Sequence, residues 1–496
     1  MTTTAGRWVL AATILGSSMA FIDGTVINIA LPVLQKSLGA DVSQAQWIVD
    51  AYLLVLSSLM LAGGALGDRL GRVRIYAIGI AMFAAGSFWC GAAPSASQLI
   101  VARAAQGLGA ALLVPGSLAI ITGCFPADTR GRAIGTWSAM TSLAIILGPL
   151  LGGWLVQAIS WRAVFYINVP IAIVTLLIVW RKVPRVQRQE SGGIDWLGTI
   201  LITLTLGTAT YSMIERVWWP AAIAVVAFAI FLVVERKTHD PIVPLSLFKS
   251  RTFTGANVLT LLLYGALSAA TFLLPFNLIQ LQHYSPAKAG AAFLPFVATM
   301  SLLSRWTGAL ADRIGPRLPL IVGPILAGAG FALMARPGVG GSYWTTFFPA
   351  ILILGIGMAV TVAPLTTTVM TSIDDERHAG AASGINNTIA RAAGLLAIAL
   401  FGAIAVTIFA RSLDAQLAAS RVSDDVRRAM ARESSKLATA QSPVRDPRVD
   451  EAVRVAFLRA FRINMIAAGA IAAASAGGAL MVSRKGRRRT TAQTPR

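Results

Sequence analysis

The chain has 496 residues, of which 56% are hydrophobic and 13% are charged, and its mean hydropathy is +0.69. Because an ordinary soluble domain carries about 25% charged residues, this composition excludes a soluble globular protein and indicates a polytopic membrane protein. The formal net charge of +21 does not call for a nucleic-acid partner, since the basic residues lie in short clusters between apolar runs, as the positive-inside rule predicts.

A transmembrane helix needs about 20 predominantly apolar residues, and this criterion predicts an all-α integral membrane protein with fourteen transmembrane helices. They cover residues 8–34, 47–67, 73–93, 98–122, 133–157, 163–180, 195–214, 218–234, 254–280, 288–311, 318–335, 344–370, 381–409 and 457–482. The first run is too long for a signal-peptide core and has no cleavage site, so we expect no secretory signal. Cys90 and Cys124 lie in or beside apolar runs without metal-ligand spacing and are expected to be packing residues.

The distribution of basic residues predicts that both termini are cytoplasmic. The loops on one side of the predicted membrane carry clusters of Lys and Arg, which mark the cytoplasmic side, whereas the short loops on the other side carry isolated bases. The inner clusters are Arg69, Arg72 and Arg74; Arg130 and Arg132; Arg181, Lys182, Arg185 and Arg188; Arg236, Lys237, Lys249 and Arg251; and the tail at 484–489.

One predicted extracellular loop, residues 411–455, departs from this pattern because it also holds many basic residues. Acidic residues partly offset them, and long loops cross the membrane largely regardless of charge. Two interpretations stay open. The loop forms one or two surface helices with a role on the outer face, or it is a polar tether between spans, which is the simpler interpretation and the one we favour.

Ionisable residues well inside predicted spans face a bundle interior or a water-filled cavity, and Asp23 and Arg103 are the first two of them. Asp23 lies about 16 Å from the outer end of the first span; it is either a proton-binding carboxylate, which we favour, or a structural ion-pair partner. Arg103 in the fourth span stays charged at physiological pH, so it can only act on a nearby carboxylate. That carboxylate is Asp23 or Asp50, and Asp50 is equally compatible with a helix cap at the outer end of the second span.

A short charged segment occurs twice in the chain. GALGDRLGRVR, residues 64–74, joins the second and third predicted spans, and GALADRIGPR, residues 308–317, joins the tenth and eleventh. Both predict a tight hairpin at the membrane surface, and together they indicate a duplication. The division that follows is an N-terminal six-helix bundle at 1–180, two inserted helices with flanking cytoplasmic loops at 181–251, a C-terminal six-helix bundle at 252–482 and a basic cytoplasmic tail at 483–496.

The pattern G-x-L-x-D-R-x-G-R at 64–72 resembles the hallmark loop of the major facilitator superfamily. FIDGTVINIALP at 21–32 is similar to the first-span motif of its drug:proton antiporters, and the fourth span matches R-x-x-Q-G-x-G-A from Arg103 onward. The fifth span contains G-P-x-x-G-G, which the superfamily shows mainly in exporters. WRAVFYINVP at 161–170 is typical of the fourteen-span drug-antiporter branch.

This resemblance implies two pseudo-symmetric six-helix bundles that rock about a central site, with two further helices between them. It implies that Asp23 is the principal proton site, that Arg103 modulates it and that Asp50 is a further candidate. The expected cytoplasmic gate consists of Gly64, Asp68, Arg69, Gly71, Arg72, Arg130 and Arg132 in the first half and Asp312 and Arg313 in the second. The expected hinge consists of Gly148, Pro149, Gly152 and Gly153.

Four residues are candidates for the substrate cavity: Asn28, Gln106, Asn386 and Arg391. Arg391 lies midway along the thirteenth span, and a packing or gating role is as compatible with its position as a contact to substrate. Asn386 and its neighbour Asn387 are the expected partners of its guanidinium group.

The chain lacks a Walker-type G-x-x-x-x-G-K-[ST] sequence, so ATP is not the expected energy source. We expect no cofactor, and a proton gradient drives the export of hydrophobic or cationic small molecules across the lipid bilayer of a bacterial cytoplasmic membrane. One alternative is a dedicated exporter of a lipid, siderophore or endogenous metabolite. Another is a non-transporting scaffold or sensor that acts through residues 411–455. An enzyme is not expected, and the oligomeric state is not indicated.

Overall fold

A computed structural model describes residues 4–184, 195–239, 241–372, 379–420, 422–440 and 446–483, without the side chains of residues 4, 127, 128, 131, 139, 142, 145, 146, 305, 312, 379–381, 438 and 439. Arg185, Arg188 and the basic tail therefore lie outside the described residues. The described part of the chain consists of helices and short connections.

The first half contains seven helices that form six spans, because α6 and α7 run on as one span over residues 163–182. Their ends follow local signals: Asp41 and Gln44 form a capping box at the start of α2, and the Ser95 hydroxyl accepts a hydrogen bond at the start of α4. The helices are α1 (Thr4–Leu38), α2 (Val42–Leu70), α3 (Arg72–Ala92), α4 (Ala96–Cys124), α5 (Ala127–Ala158), α6 (Ala163–Tyr166) and α7 (Asn168–Lys182).

Two further helices, α8 (Trp196–Glu215) and α9 (Trp219–Lys237), form a hairpin between the halves. Helix α8 contacts both α2 and α15 (Ala379–Ala419). Glu215 accepts hydrogen bonds from the Ser43 hydroxyl at 2.8 Å and the Trp47 indole at 2.9 Å. It therefore joins the hairpin to α2.

At the other end of this hairpin, two buried carboxylates converge on a glycine. Asp195 accepts a hydrogen bond from the Gly198 amide at 2.7 Å, and Glu235 accepts one from the Val243 amide at 3.1 Å. The second oxygen of each carboxylate has no hydrogen-bond partner among the described residues. Both of these oxygens lie within 3 Å of the position that a Cβ atom on Gly198 would occupy, so they lie close together on the same side of that glycine.

The second half repeats the plan of the first with different helix lengths. Helix α10 continues into a π-helical turn at Asn277–Leu281, and α11 with α12 forms one span. The helices are α10 (Arg251–Phe276), α11 (Pro286–Ala291), α12 (Leu294–Ile314), α13 (Arg317–Met334), α14 (Phe347–Thr371), α15, α16 (Asp424–Glu433) and α17 (Pro447–Ala479).

The structure confirms the all-α fold. Thirteen helices of the described residues are long and apolar enough to cross a membrane. Helix α5, several of whose side chains are not described, is not among the thirteen, and its 32 residues occupy the place of the fifth predicted span. A helix is therefore present at each of the fourteen predicted positions.

The predicted loop 411–455 is largely helical. Helix α15 continues to Ala419 and α17 begins at Pro447, and between them lie α16 and a 3-10 turn at Ser434–Thr439. Met430 and Leu437 are fully buried and belong to the same apolar core as the transmembrane helices. The interpretation as a polar tether is therefore wrong for the described part. In the sequence, the charged residues of α16 conceal its one buried residue, Met430.

Ion pairs also stabilise the segment between α15 and α17. The Arg427 guanidinium group lies 2.9 Å from the Asp414 carboxylate of α15. Asp446 caps α17 and pairs with Arg448 at 2.9 Å, and this hydrogen-bonded cation holds the pKa of the Asp446 carboxyl below its usual range.

The two copies of the charged hairpin adopt the same turn. Gly71 between α2 and α3 has a φ angle of +105°, and Gly315 between α12 and α13 has a φ angle of +87°. Only glycine adopts such angles without a steric penalty. The same residue in the same conformation at the same place in each half is what a duplicated chain predicts.

We expect Gly71→Ala to lower the melting temperature of the purified protein, because a side chain in this backbone region costs roughly 1–2 kcal/mol. Gly135→Ala is the matched control: neither glycine has a heavy atom within 4 Å of its Cβ position, and Gly135 lies inside α5, where alanine is more favourable than glycine. Circular dichroism in detergent checks both. Equal melting temperatures for the two variants would contradict the strain argument.

Candidate functional site

The centre of the first half holds a buried ion pair. An Arg103 Nη1 of α4 lies 2.6 Å from the Asp23 Oδ2 of α1, and the two side chains are 0% and 2% exposed. The structure therefore brings together the two residues that the sequence singled out, and it selects Asp23 rather than Asp50 as the partner of Arg103.

Polar side chains from three further positions complete a network around Asp23. Gln106 donates to the other carboxylate oxygen at 2.8 Å and to the Ser87 hydroxyl of α3 at 2.7 Å, and its own carbonyl oxygen accepts from Arg103 at 2.6 Å. Asn168 of α7 donates to Ser87 at 3.1 Å and to Asp23 at 3.4 Å. Four helices of the first half thus meet at one carboxylate.

Arg103 is also held by α2. Its Nε donates to the Ile48 carbonyl oxygen at 3.0 Å, and its guanidinium carbon lies 4.3 Å from the centre of the Tyr52 ring. This contact over an aromatic face stabilises a cation that has little access to water. The Nη2 atom of Arg103 and the hydroxyl of Tyr52 have no partner among the described residues.

The sequence of α4 explains how the helices come so close. Arg103 and Gln106 lie three residues apart and so share one face of the helix. The glycines that follow allow backbone contact: a Cβ atom on Gly107 would overlap α2 at Tyr52, and one on Gly109 would overlap α3 at Phe83. The spacing R-x-x-Q-G-x-G therefore places one charged and one neutral polar side chain between closely packed helices.

Asp50 is not a helix cap. It is fully buried, nine positions beyond the actual capping residue Asp41, because α2 begins at Val42 rather than at the predicted residue 47. Neither of its carboxylate oxygens has a hydrogen-bond partner among the described residues. Asp50 therefore takes no part in the hydrogen-bond network around Asp23.

The expected gate is partly formed. Asp68 pairs with Arg72 at 2.6 Å, and Arg72 also donates to the Ala119 carbonyl oxygen of α4 at 3.1 Å. Among the described residues, Arg130 and Arg132, which were also expected in the gate, do not pair with Asp68.

The other residues of the expected gate have different surroundings. Arg130 donates to the Phe125 carbonyl oxygen instead, while Arg132, Arg69 and Arg313 are exposed. The Asp312 side chain lies outside the described residues. Gly64 has only an ordinary contact with Pro115, and Gly71 forms the turn described above.

The glycines of the expected hinge are close-contact points in a continuous helix. On α5, a Cβ atom at Gly148 would overlap Thr25 and one at Gly152 would overlap Val26, so both face α1. On the other side, Gly153 faces the Pro286 carbonyl group of α11, and Gly290 of α11 faces the Pro149 carbonyl group. Helix α5 thus packs closely between α1 of the first half and α11 of the second.

The four expected cavity residues separate into two groups. Gln106 is fully buried in the Asp23 network and does not line a cavity. Asn386 donates to Asn257 and Thr260 of α10, and Asn387 donates to the Ser383 carbonyl oxygen, so neither is a partner of Arg391. 

Asn28 and Arg391 remain cavity candidates. Both are half-buried. Asn28 donates weakly to the Gly24 carbonyl oxygen at 3.5 Å, and the Arg391 guanidinium carbon lies 5.5 Å from the Phe21 ring.

Sequence reasoning missed four members of the Asp23 network: Tyr52, Ser87, Cys90 and Asn168. Cys90 is buried and its thiol donates to the Gln106 carbonyl oxygen at 3.5 Å, so it is more than a packing residue. Asn168 lies in the stretch WRAVFYINVP, whose resemblance to a family motif was the available signal. Ser87 and Tyr52 had none, because uncharged residues in apolar helices are ordinarily packing residues.

Comparison with known proteins agrees with this geometry. The chain is 32% identical to Multidrug resistance protein Stp of Mycobacterium tuberculosis over 418 residues. This alignment covers 82% of this chain and 77% of that protein. It is 33% identical to Methylenomycin A resistance protein of Bacillus subtilis, over 81% of this chain and 88% of that protein. It is 30% identical to Riboflavin transporter RibZ of Clostridioides difficile, over 82% and 89%.

The fold is similar to that of a bacterial homolog of the human lysosomal transporter Spinster. The TM-score is 0.71 at 19% sequence identity, with 98% of each chain covered. The sequence profile described as Major Facilitator Superfamily matches residues 13–398. The chain is therefore a transporter that belongs to the major facilitator superfamily.

Proposed function

We propose that this transporter is a proton-coupled exporter of predominantly apolar small molecules, which works by alternating access in a bacterial cytoplasmic membrane with both termini in the cytoplasm. The observation that carries the proposal is the Asp23 carboxylate, buried mid-membrane and tied to Arg103, Gln106 and Asn168. The resistance proteins among its relatives support export of drug-like compounds.

Protonation of Asp23 changes the attachment of α1 to the rest of its bundle. The ionised carboxylate is held by a charge-assisted bond to Arg103, and such bonds are about twice as strong as neutral ones. A proton removes the charge of Asp23 but leaves that of Arg103, which cannot lose its own proton. The two protonation states therefore favour different positions of α1 relative to α4.

The glycine contacts supply a route from Asp23 to the second half. Thr25 and Val26 follow Asp23 on α1 and lie against Gly148 and Gly152 of α5, whose opposite side packs on α11 through Gly153. At these contacts the Thr25 and Val26 side chains lie directly against the α5 backbone, and Gly153 lies against the α11 backbone, so little space is left for independent movement. A displacement of α1 is thus passed to the interface between the halves.

The pair of Asp68 and Arg72 acts in this scheme as part of a gate at the inner surface. It ties the end of α2 to the start of α3, and Arg72 extends the link to the Ala119 carbonyl group of α4. The Asp68 and Arg72 side chains are 32% and 15% exposed, so water can compete for this ion pair when the bundles move.

A second candidate function is export of a single endogenous compound. The similarity to a protein named as a riboflavin transporter favours it. A dedicated exporter would use the same proton site but accept one compound rather than many.

The first prediction of the proposed function concerns accumulation of dyes, cationic biocides and antibiotics in an efflux-deficient bacterium. We expect the native chain to lower accumulation of some compounds, a protonophore to cancel the effect, and Asp23→Asn to lose it at equal membrane levels. Retained pH-dependent export by Asp23→Asn would contradict the assignment. Loss in Asp50→Asn alone would transfer the proton role to Asp50.

The second prediction is a double-mutant cycle on the buried pair. Asp23→Asn leaves Arg103 as a buried charge without a counter-ion, which costs about 3–5 kcal/mol, and adding Arg103→Gln should recover part of this loss. The corresponding cycle on the more exposed pair of Asp68 and Arg72 should give a coupling energy of about 0–1 kcal/mol. Chemical unfolding of the purified variants measures both. A coupling energy no larger for the buried pair would refute the argument.

The third prediction tests the contact between the halves. Gly153→Val places a side chain against the Pro286 carbonyl group and should abolish export while the protein still reaches the membrane. Gly207→Val in α8 is the control, because the nearest atom to its Cβ position is a Leu54 methyl group at 3.7 Å. Dye efflux at matched expression compares them. Native export by Gly153→Val would exclude this route of coupling.

A further inference from the structure

Arg391 is a cation within the transmembrane helix α15 and has no counter-ion among the described residues. It lies on the 41-residue helix α15 and is half-buried. Among the described residues, no carboxylate lies within ion-pair distance of it, whereas the other buried arginine, Arg103, is paired with Asp23. A charged group at this depth must contact water or a polar ligand.

The position of Arg391 on α15 places it at the interface between the two halves. Gly384 and Gly402 lie seven and eleven residues away and therefore share its face of the helix. A Cβ atom on Gly384 would lie 3.2 Å from Leu61 of α2, and Gly402 lies directly against Gln46 of α2. Arg391 thus lies between two points at which this face meets the first half.

An aromatic ring lies beside the guanidinium group of Arg391. The guanidinium carbon lies 5.5 Å from the centre of the Phe21 ring on α1. The surroundings suit a flat aromatic compound that also carries hydrogen-bond acceptors.

The buried carboxylates do not offer a comparable site for a cation. Asp23 is 2% exposed and its charge is balanced by Arg103, and Asp50 is fully buried. The charge that the interface presents to a substrate is therefore positive, which argues against the cationic cargo that the sequence suggested.

We propose that Arg391 binds an acidic group of the transported compound, so that the preferred substrates are aromatic acids that carry a carboxylate or phenolate. The aromatic ring stacks near Phe21 while the acidic oxygen accepts hydrogen bonds from Arg391, and charge-assisted bonds of this kind are strong and directional. This substrate class rests on the proposed function as an exporter.

The test is binding of two xanthene dyes of similar size, anionic fluorescein and cationic rhodamine 123, to the purified full chain in lipid nanodiscs. Fluorescence anisotropy at pH 8 gives the dissociation constants for the native protein and for Arg391→Gln, Arg391→Lys and Arg411→Gln. Arg411 is the matched control, because it is an exposed arginine on the same helix.

We expect the native protein to prefer fluorescein and Arg391→Gln to weaken fluorescein binding at least about tenfold. Rhodamine 123 should bind the variant as well as or better than the native chain. Arg391→Lys should retain an intermediate affinity for fluorescein, and Arg411→Gln should behave like the native protein.

Two results with the native chain would overturn the proposal: stronger binding of rhodamine 123 than of fluorescein, or binding of neither dye. An equal loss of affinity for both dyes in Arg391→Gln would also overturn it and would indicate a packing or gating role. Binding is measured without a proton gradient. A failure of proton coupling, seen as retained export by Asp23→Asn, is therefore distinguishable from a failure of anion recognition.

Discussion

The arrangement of the first half depends on the cost of placing charge inside a membrane. Asp23 and Arg103 are tolerable there because each neutralises the other and because Gln106, Asn168 and the Ile48 carbonyl group satisfy most of their remaining hydrogen-bonding capacity. To bring these groups together, α1, α2, α3, α4 and α7 must converge. The electrostatic requirement thus explains the close packing, and the glycines of α4 make that packing sterically feasible.

Close backbone contact recurs where the halves meet. Gly153 of α5 and Gly290 of α11 face each other's helices, and Gly402 of α15 lies against Gln46 of α2, whose amide donates to the Ile398 and Ala399 carbonyl oxygens. In lipid, association of helices relies on such packing and on hydrogen bonds rather than on the hydrophobic effect. The interface therefore has few adjustable side chains and favours discrete arrangements over gradual ones.

The sequence predicted the helices and the duplication, and it limited the partner of Arg103 to Asp23 or Asp50, because long apolar runs and isolated charges are conspicuous. It failed where the outcome depends on helix ends and rotation. Asp50 was interpreted as a possible cap because the polar first turn of α2, with Ser43, Gln44 and Gln46, does not look like a membrane span.

Helix rotation and local composition explain the other errors. Asn386 was assigned to Arg391 from its proximity along the chain, although the rotation of α15 directs it to α10. Surface helices in residues 411–455 were the less favoured interpretation, because the charged composition of α16 conceals its single buried residue, Met430. Partners across helices cannot be predicted from spacing along one helix.

The length of α15 has a mechanical consequence. Its 41 residues correspond to roughly 60 Å, about twice the roughly 30 Å hydrocarbon thickness of a bilayer. The helix therefore extends beyond the membrane, and its far end carries Asp414, which is paired with Arg427 of α16. A tilt of α15 about Arg391, the proposed substrate contact, would displace this far end more than any nearer part of the helix, so substrate binding and the position of α16 would be mechanically linked.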